Sequence, residues 1–276
     1  VATMKKYINI LFLIFLLFSI NATADISSEE DIDVKKPRHG IIAIRCYSIF
    51  FPNEGYPAEI LLISPDGKKK VGYDYETKKE VAEIRGSGYF TDVQPHLEGP
   101  DSPPWRTLEV MWPDTMGKYI LKVYGIKDSM YSLSILFEDK KGNIIHYQGL
   151  KGYKGIISKA EIHEYILYYS TSHDIFLSSV KKVVDFNLID KQLRLAVKRR
   201  YIDKKLGREL LNKWSEFKKT YPKNPNKEVL KELIDRIELE KQKYKGIRED
   251  ELIHMADFVS LDLLSKDIKS FLDELK

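Results

Sequence analysis

One cysteine, Cys46, stands in 276 residues, so no intrachain disulfide framework exists and the fold must hold by burial alone. Apolar runs are scarce as well. The longest, the almost uninterrupted Ile8 to Ile20, is about thirteen residues, short of the roughly 20 a spanning helix needs. The formal net charge of +4 is too small to argue for nucleic acid. There is no phosphate-binding Walker loop, no dinucleotide fingerprint and no cysteine metal spacing, and the six histidines are scattered. His163-Glu164 starts like a zinc-protease helix, but Leu167 stands where the second histidine is required. Ser178 with Lys181, and Ser179 with Lys182, have serine–lysine acyl-enzyme spacing without its partner motifs. These absences leave no legible reaction.

What is present begins with an export grammar. Lys5 and Lys6 precede the apolar run, and Ala22 and Ala24 bracket Thr23 ahead of Asp25. That pattern predicts a signal peptide over 1–24 with an Ala-x-Ala cleavage site, hence an exported protein, extracellular, at the cell surface or periplasmic. No membrane span is expected once it is removed. An uncleaved run acting as a tether is the alternative. Residues 25–39 are polar, acidic then basic, and read as a flexible leader.

From Gly40 the chain changes to short β-branched and aromatic runs separated by turns. Ile41–Phe51, Ala58–Ser64, Val71–Tyr75, Arg106–Trp112, Lys118–Tyr124, Met130–Glu138, Ile144–Gln148 and Glu161–Tyr169 read as strands. The Gly- and Pro-rich stretch 86–104 reads as a surface loop. After about Ser172 the apolar period lengthens. Val183, Phe186, Ile189, Leu193 and Val197 share one helical face, and Asp203 caps a second helix carrying Leu206, Leu210, Leu211, Trp214 and Phe217. A third carries Val229, Leu233, Ile237 and Leu239, and one or two more end the chain. The predicted fold class is an all-β sandwich over 40–172 plus a separate all-α helical bundle over 173–276, with strands and helices segregated.

The order Ala58–Gly67, Gly72-Tyr73-Asp74, Glu83-Ile84-Arg85-Gly86, Gly117–Gly125 and Tyr131–Ile135 resembles small exported bacterial sandwiches found beside von Willebrand A modules, and bacterial pre-peptidase C-terminal domains. Tyr75 and Arg85 stand where that pattern usually has proline. The helical half, through Tyr201-Ile202-Asp203, Leu206, Leu210-Leu211, Lys245-Gly246-Ile247, Glu251-Leu252 and Ala256-Asp257, is similar to the FIMAH module appended to secreted bacterial proteins. Both resemblances imply an accessory, non-catalytic role. The expectation is an exported interaction or scaffolding protein of the cell envelope or secretome, its partner another envelope or secreted protein or a surface glycan. A structural subunit of an envelope assembly and a hydrolase using loop carboxylates are the alternatives.

Three residue groups are candidate sites. Tyr89, Phe90, Leu97 and Trp105 are large side chains on the 86–104 loop or its border, and form hot spots when displayed or pins when buried. Asp66, Asp74 and Glu76 are hard oxygen donors at strand ends that could share Ca²⁺, against ordinary turn polarity. Arg194, Lys198, Arg199, Arg200, Lys204 and Lys205 form a basic stretch facing either an anionic envelope surface or the acidic last segment with Glu249, Asp250, Glu251, Asp257 and Asp262.

Overall fold

The computed structural model describes residues 40–49, 56–92, 104–111, 113, 116–170, 178–244 and 252–275. The expected signal peptide and leader lie outside the described residues. Residues 38–276 form one compact unit.

Eleven strands are described: β1 (Ile41–Ser48), β2 (Ala58–Ile63), β3 (Lys70–Asp74), β4 (Lys79–Ala82), β5 (Ser87–Asp92), β6 (Trp105–Val110), β7 (Gly117–Gly125), β8 (Ser129–Glu138), β9 (Ile144–Ile157), β10 (Ile162–Tyr169) and β11 (Ser179–Lys182). They form two sheets, ordered β5-β6-β1-β8-β9 and β11-β10-β7-β2-β3-β4. Neighbours run antiparallel throughout. Period-two alternation explains the arrangement. Ile42, Ile44 and Cys46 of β1 turn inward to meet Ile60 and Leu62 of β2, Tyr119, Leu121 and Val123 of β7, and Tyr165 and Leu167 of β10 in one buried cluster. The architecture is sandwich-like. Burial pushes the Cys46 thiol well above its ordinary range, which leaves it inert.

Two expectations are corrected. Ser87–Asp92, read as irregular, is strand β5 and pairs with β6 from Ser87↔Val110 to Asp92↔Trp105. Ser179–Lys182, read as part of a helical region, is strand β11 on the edge of the second sheet.

Four helices complete the unit: α1 (Phe186–Lys198), α2 (Lys204–Thr220), α3 (Lys227–Lys241) and α4 (Leu252–Glu274). The final segment is therefore a single helix. Asp185, Asp203 and Asn226 cap the first three through side-chain oxygens that accept backbone N–H bonds. The apolar stripe of α3 is Val229, Leu230, Leu233, Ile234 and Ile237, whereas Leu239 is 58% exposed. The helical core also takes in Met130 of β8 and Ile156 of β9. Lys182 of β11 donates to Asp267 of α4 at 2.5 Å, and Ser260 Oγ lies 3.5 Å from Met130 Sδ. The helices thus pack against side chains of β8, β9 and β11.

Candidate docking site

The α1–α2 turn is built by a Schellman motif. Tyr201 N donates to Ala196 O at 2.8 Å and Arg200 N to Val197 O at 3.2 Å. That motif puts Arg200 at φ +57°, the left-handed region where glycine usually stands because a Cβ costs roughly 1–2 kcal/mol there. Replacing Arg200 by glycine is therefore expected to stabilise the fold by about 1 kcal/mol. In a unit of this size the melting temperature would rise by roughly 2–4 °C, measurable by thermal circular dichroism.

Lys198, Arg199, Arg200, Lys204, Lys205 and Arg208 all lie on this turn or the helix ends beside it, and all six are exposed. The fold brings Asp128, on the β7–β8 connection, against the first two. Lys198 Nζ is 3.0 Å and Arg199 Nε 3.7 Å from Asp128 Oδ2, and Arg199 also donates to the Asp128 carbonyl at 3.2 Å. Lys159 N donates to Asp128 Oδ1 at 3.0 Å. That backbone bond, with Lys198 and Arg199, holds the Asp128 carboxyl below its usual range. Lys159, held to Asp128 through that backbone bond, is itself exposed on the strand-rich half. Asp203 is occupied as a cap, accepting from Lys205 N at 2.8 Å and Leu206 N at 3.1 Å. Among the described residues no carboxylate pairs with the side chains of Arg200, Lys204, Lys205 or Arg208.

Among the described residues the acidic last helix places no carboxylate on this corner, and Glu249, Asp250 and Glu251 lie outside the described residues. Asp262 takes Lys241 at 2.9 Å and Lys266 at 2.7 Å, Asp267 takes Lys182, and Glu274 takes Lys181 at 2.8 Å. Asp257 accepts from Tyr244. Of the six sequence candidates only Arg194 lies apart, bound to Asp190 at 2.9 and 3.3 Å.

The aromatic candidates separate. Tyr89 is inside: its hydroxyl donates to Glu59 Oε2 and accepts from Ile60 N at 3.3 Å. Burial, with the Glu59 charge, drives its pKa far up. Arg106 NH2 completes the cluster at 2.8 Å from Glu59 Oε1. The Arg106 guanidinium lies over the rings of Tyr56 at 4.4 Å and Tyr89 at 5.1 Å. Tyr89 therefore ties the two sheets together and is not displayed. Phe90 is 42% exposed. Trp105 is half-buried, its indole donating to Asp92 Oδ2 at 3.2 Å. Leu97 lies outside the described residues.

The three Ca²⁺ candidates are not brought together. Asp66 lies in the turn before β3, accepting from Ser64 Oγ at 2.6 Å and Lys68 N at 3.1 Å. Asp74 and Glu76 lie at and beyond the other end of that strand. Asp74 accepts from Lys70 Nζ and Glu76 N, both at 3.0 Å. Among the described residues no three His, Cys, Asp or Glu side chains gather as a metal site.

Sequence reasoning passes over a buried polar chain. Tyr131 OH lies 2.8 Å from both His163 Nδ1 and Tyr165 OH, and His163 Nε2 lies 3.5 Å from Glu161 Oε1. Burial holds His163, and likewise His146, below the ordinary imidazole value. The unfolded chain takes up these protons as pH falls through about 6.5, while the native state resists them. Stability is therefore complete above that pH and lost below it, by up to about 1.4 kcal/mol per pH unit for each histidine. His163→Gln is expected to flatten this slope between about pH 6.5 and 5, read by urea unfolding at several pH values. An unchanged slope would exclude His163 as its source.

Searches against protein-family models, curated proteins and solved structures find no match to this chain.

Proposed function

We propose that this is an exported, non-catalytic interaction protein of the cell envelope or secretome, with a true β-sandwich and a helical bundle acting as one accessory unit. The observation that carries the reading is the cationic corner at the α1–α2 turn. Six exposed Lys and Arg side chains there face only two carboxylates, Asp128 and Asp203, among the described residues. Nearby acids are committed elsewhere: Glu209 to Arg236 at 3.0 Å and Glu240 to Arg236 and Lys243. A surface charge left without an internal complement raises encounter rates with an oppositely charged partner and fixes its orientation. The resemblances to accessory modules of exported proteins point the same way, as does the predicted signal peptide.

The test is capture. The protein without residues 1–24, immobilised, is exposed to the envelope and culture fractions of its own cells. Retention of a defined component, reduced when Lys204 and Lys205 are changed to Glu, is the expected result. Turnover of an envelope component with nothing retained would favour an enzyme instead.

A further inference from the structure

We infer that the cationic corner docks on an anionic phospholipid bilayer. The inference rests on the interaction reading above and names its partner. Three local features are unfavourable to the fold and are kept together at this one place. Arg200 occupies a left-handed position that glycine fills without strain. Lys204 and Lys205 occupy the first turn of α2, which holds no acidic residue; the macrodipole disfavours cations at that end. Lys198, Arg199, Arg200, Lys204, Lys205 and Arg208 crowd like charges into eleven residues, and α4 offers them no carboxylate. Local choices that oppose the fold concentrate at sites kept for another reason.

The geometry then selects the partner. All six side chains are exposed, and among the described residues only Lys198 and Arg199 of them pair with a carboxylate, so the corner suits an extended anionic surface better than a small anion, which needs surrounding donors. Lys159, exposed on the strand-rich half and bonded through its backbone N–H to Asp128, widens the same surface. The Lys5-Lys6 pair and the apolar run from Ile8 to Ile20 have the pattern that delivers a chain to a membrane. A basic residue near an anionic leaflet strengthens binding about fivefold.

The experiment is co-sedimentation of the chain from Asp25 onward, which contains the whole compact unit, with two vesicle types. One is phosphatidylcholine alone and the other carries about 30% phosphatidylglycerol, a composition giving a negative surface potential. Binding to the anionic vesicles only is expected, falling steeply as salt shortens the Debye length from about 10 Å at 0.1 M to about 3 Å at 1 M. The variant R200G/K204Q/K205Q is expected to bind on the order of a hundredfold more weakly. R200G alone should bind about fivefold more weakly while melting at a higher temperature, so weaker binding there cannot come from unfolding. Equal binding to both vesicles, no binding to either, or a triple variant that binds like the parent would overturn the inference. If vesicles are ignored while lipid-extracted envelope still retains the protein, the lipid inference fails and the interaction reading stands. If neither is bound, both fail.

Discussion

Arg106→Ala is expected to lower the unfolding free energy by about 3–5 kcal/mol, as does breaking other buried ion pairs from one side. Arg106 and Glu59 have side chains only 11% and 7% exposed, and they belong to different sheets, β6 and β2. Removing the guanidinium leaves the Glu59 carboxylate buried with the neutral Tyr89 and Tyr56 hydroxyls beside it and no cation to balance its charge. Thr91 Oγ1 also loses its bond to Arg106 NH1, at 2.6 Å. Arg106→Met combined with Glu59→Leu removes both charges together and is expected to cost far less, because replacing a whole buried pair with apolar groups is often neutral. Urea denaturation of the three proteins checks this. Equal losses in the single and double variants would mean that the pair's packing, not its charge balance, holds the sheets at this edge.

Trp214→Ala is the second large effect, at about 4–5 kcal/mol. Trp214 is 1% exposed and stacks on Phe186 with ring centroids 4.9 Å apart at 21°. It also meets Phe217 at 5.4 Å. Its indole N–H donates to Asp190 Oδ1 at 2.9 Å. The alanine variant loses the buried area, opens a cavity between α1 and α2, and strips one donor from Asp190. Trp214→Phe keeps the aromatic stack and loses the donor, so a cost of about 1–2 kcal/mol is expected. Chemical denaturation tracked by far-UV circular dichroism distinguishes them. A Trp214→Phe variant as damaged as Trp214→Ala would place the stabilisation in the Asp190 bond.

The two large effects fall at sites of unequal legibility. Trp214 is readable, since Leu206, Leu210, Trp214 and Phe217 repeat at helical spacing behind the Asp203 cap, and all four are buried. Arg106 with Glu59 is not, because 47 residues separate the partners and nothing local marks either as buried. The strands that escape a sequence reading are those that lack an alternating face. β4 is almost wholly exposed and β5 largely half-buried, so as short strands near sheet edges they carry no inward apolar row. In β9 the alternating pattern stops at Gln148, and glycines punctuate the remainder of the strand. A Cβ at Gly152 would lie 2.2 Å from Leu133 O, and one at Gly155 would lie 2.5 Å from the Tyr131 ring. Those glycines permit close approach of β8 to β9 and do not signal a loop.

The cationic corner is half legible. Its cations from Lys198 to Lys205 adjoin in sequence, but Asp128 and Lys159 reach it only through the fold. Whether α4 neutralises it cannot be read from composition. Asp262 and Asp267 are spoken for by Lys241, Lys266 and Lys182, partners set by which helix faces pack together. Tyr89 and Phe90 are adjacent in sequence and opposite in role because successive strand residues point to opposite faces.

The most direct measurement is retention of the protein on isolated envelope as a function of salt, for the parent and for Lys204→Glu/Lys205→Glu. Retention that falls steeply as ionic strength rises from about 0.05 to 0.5 M, and is weak at every salt concentration in the variant, is the expected result. Salt-insensitive retention that is the same for parent and variant would contradict a docking role for the corner.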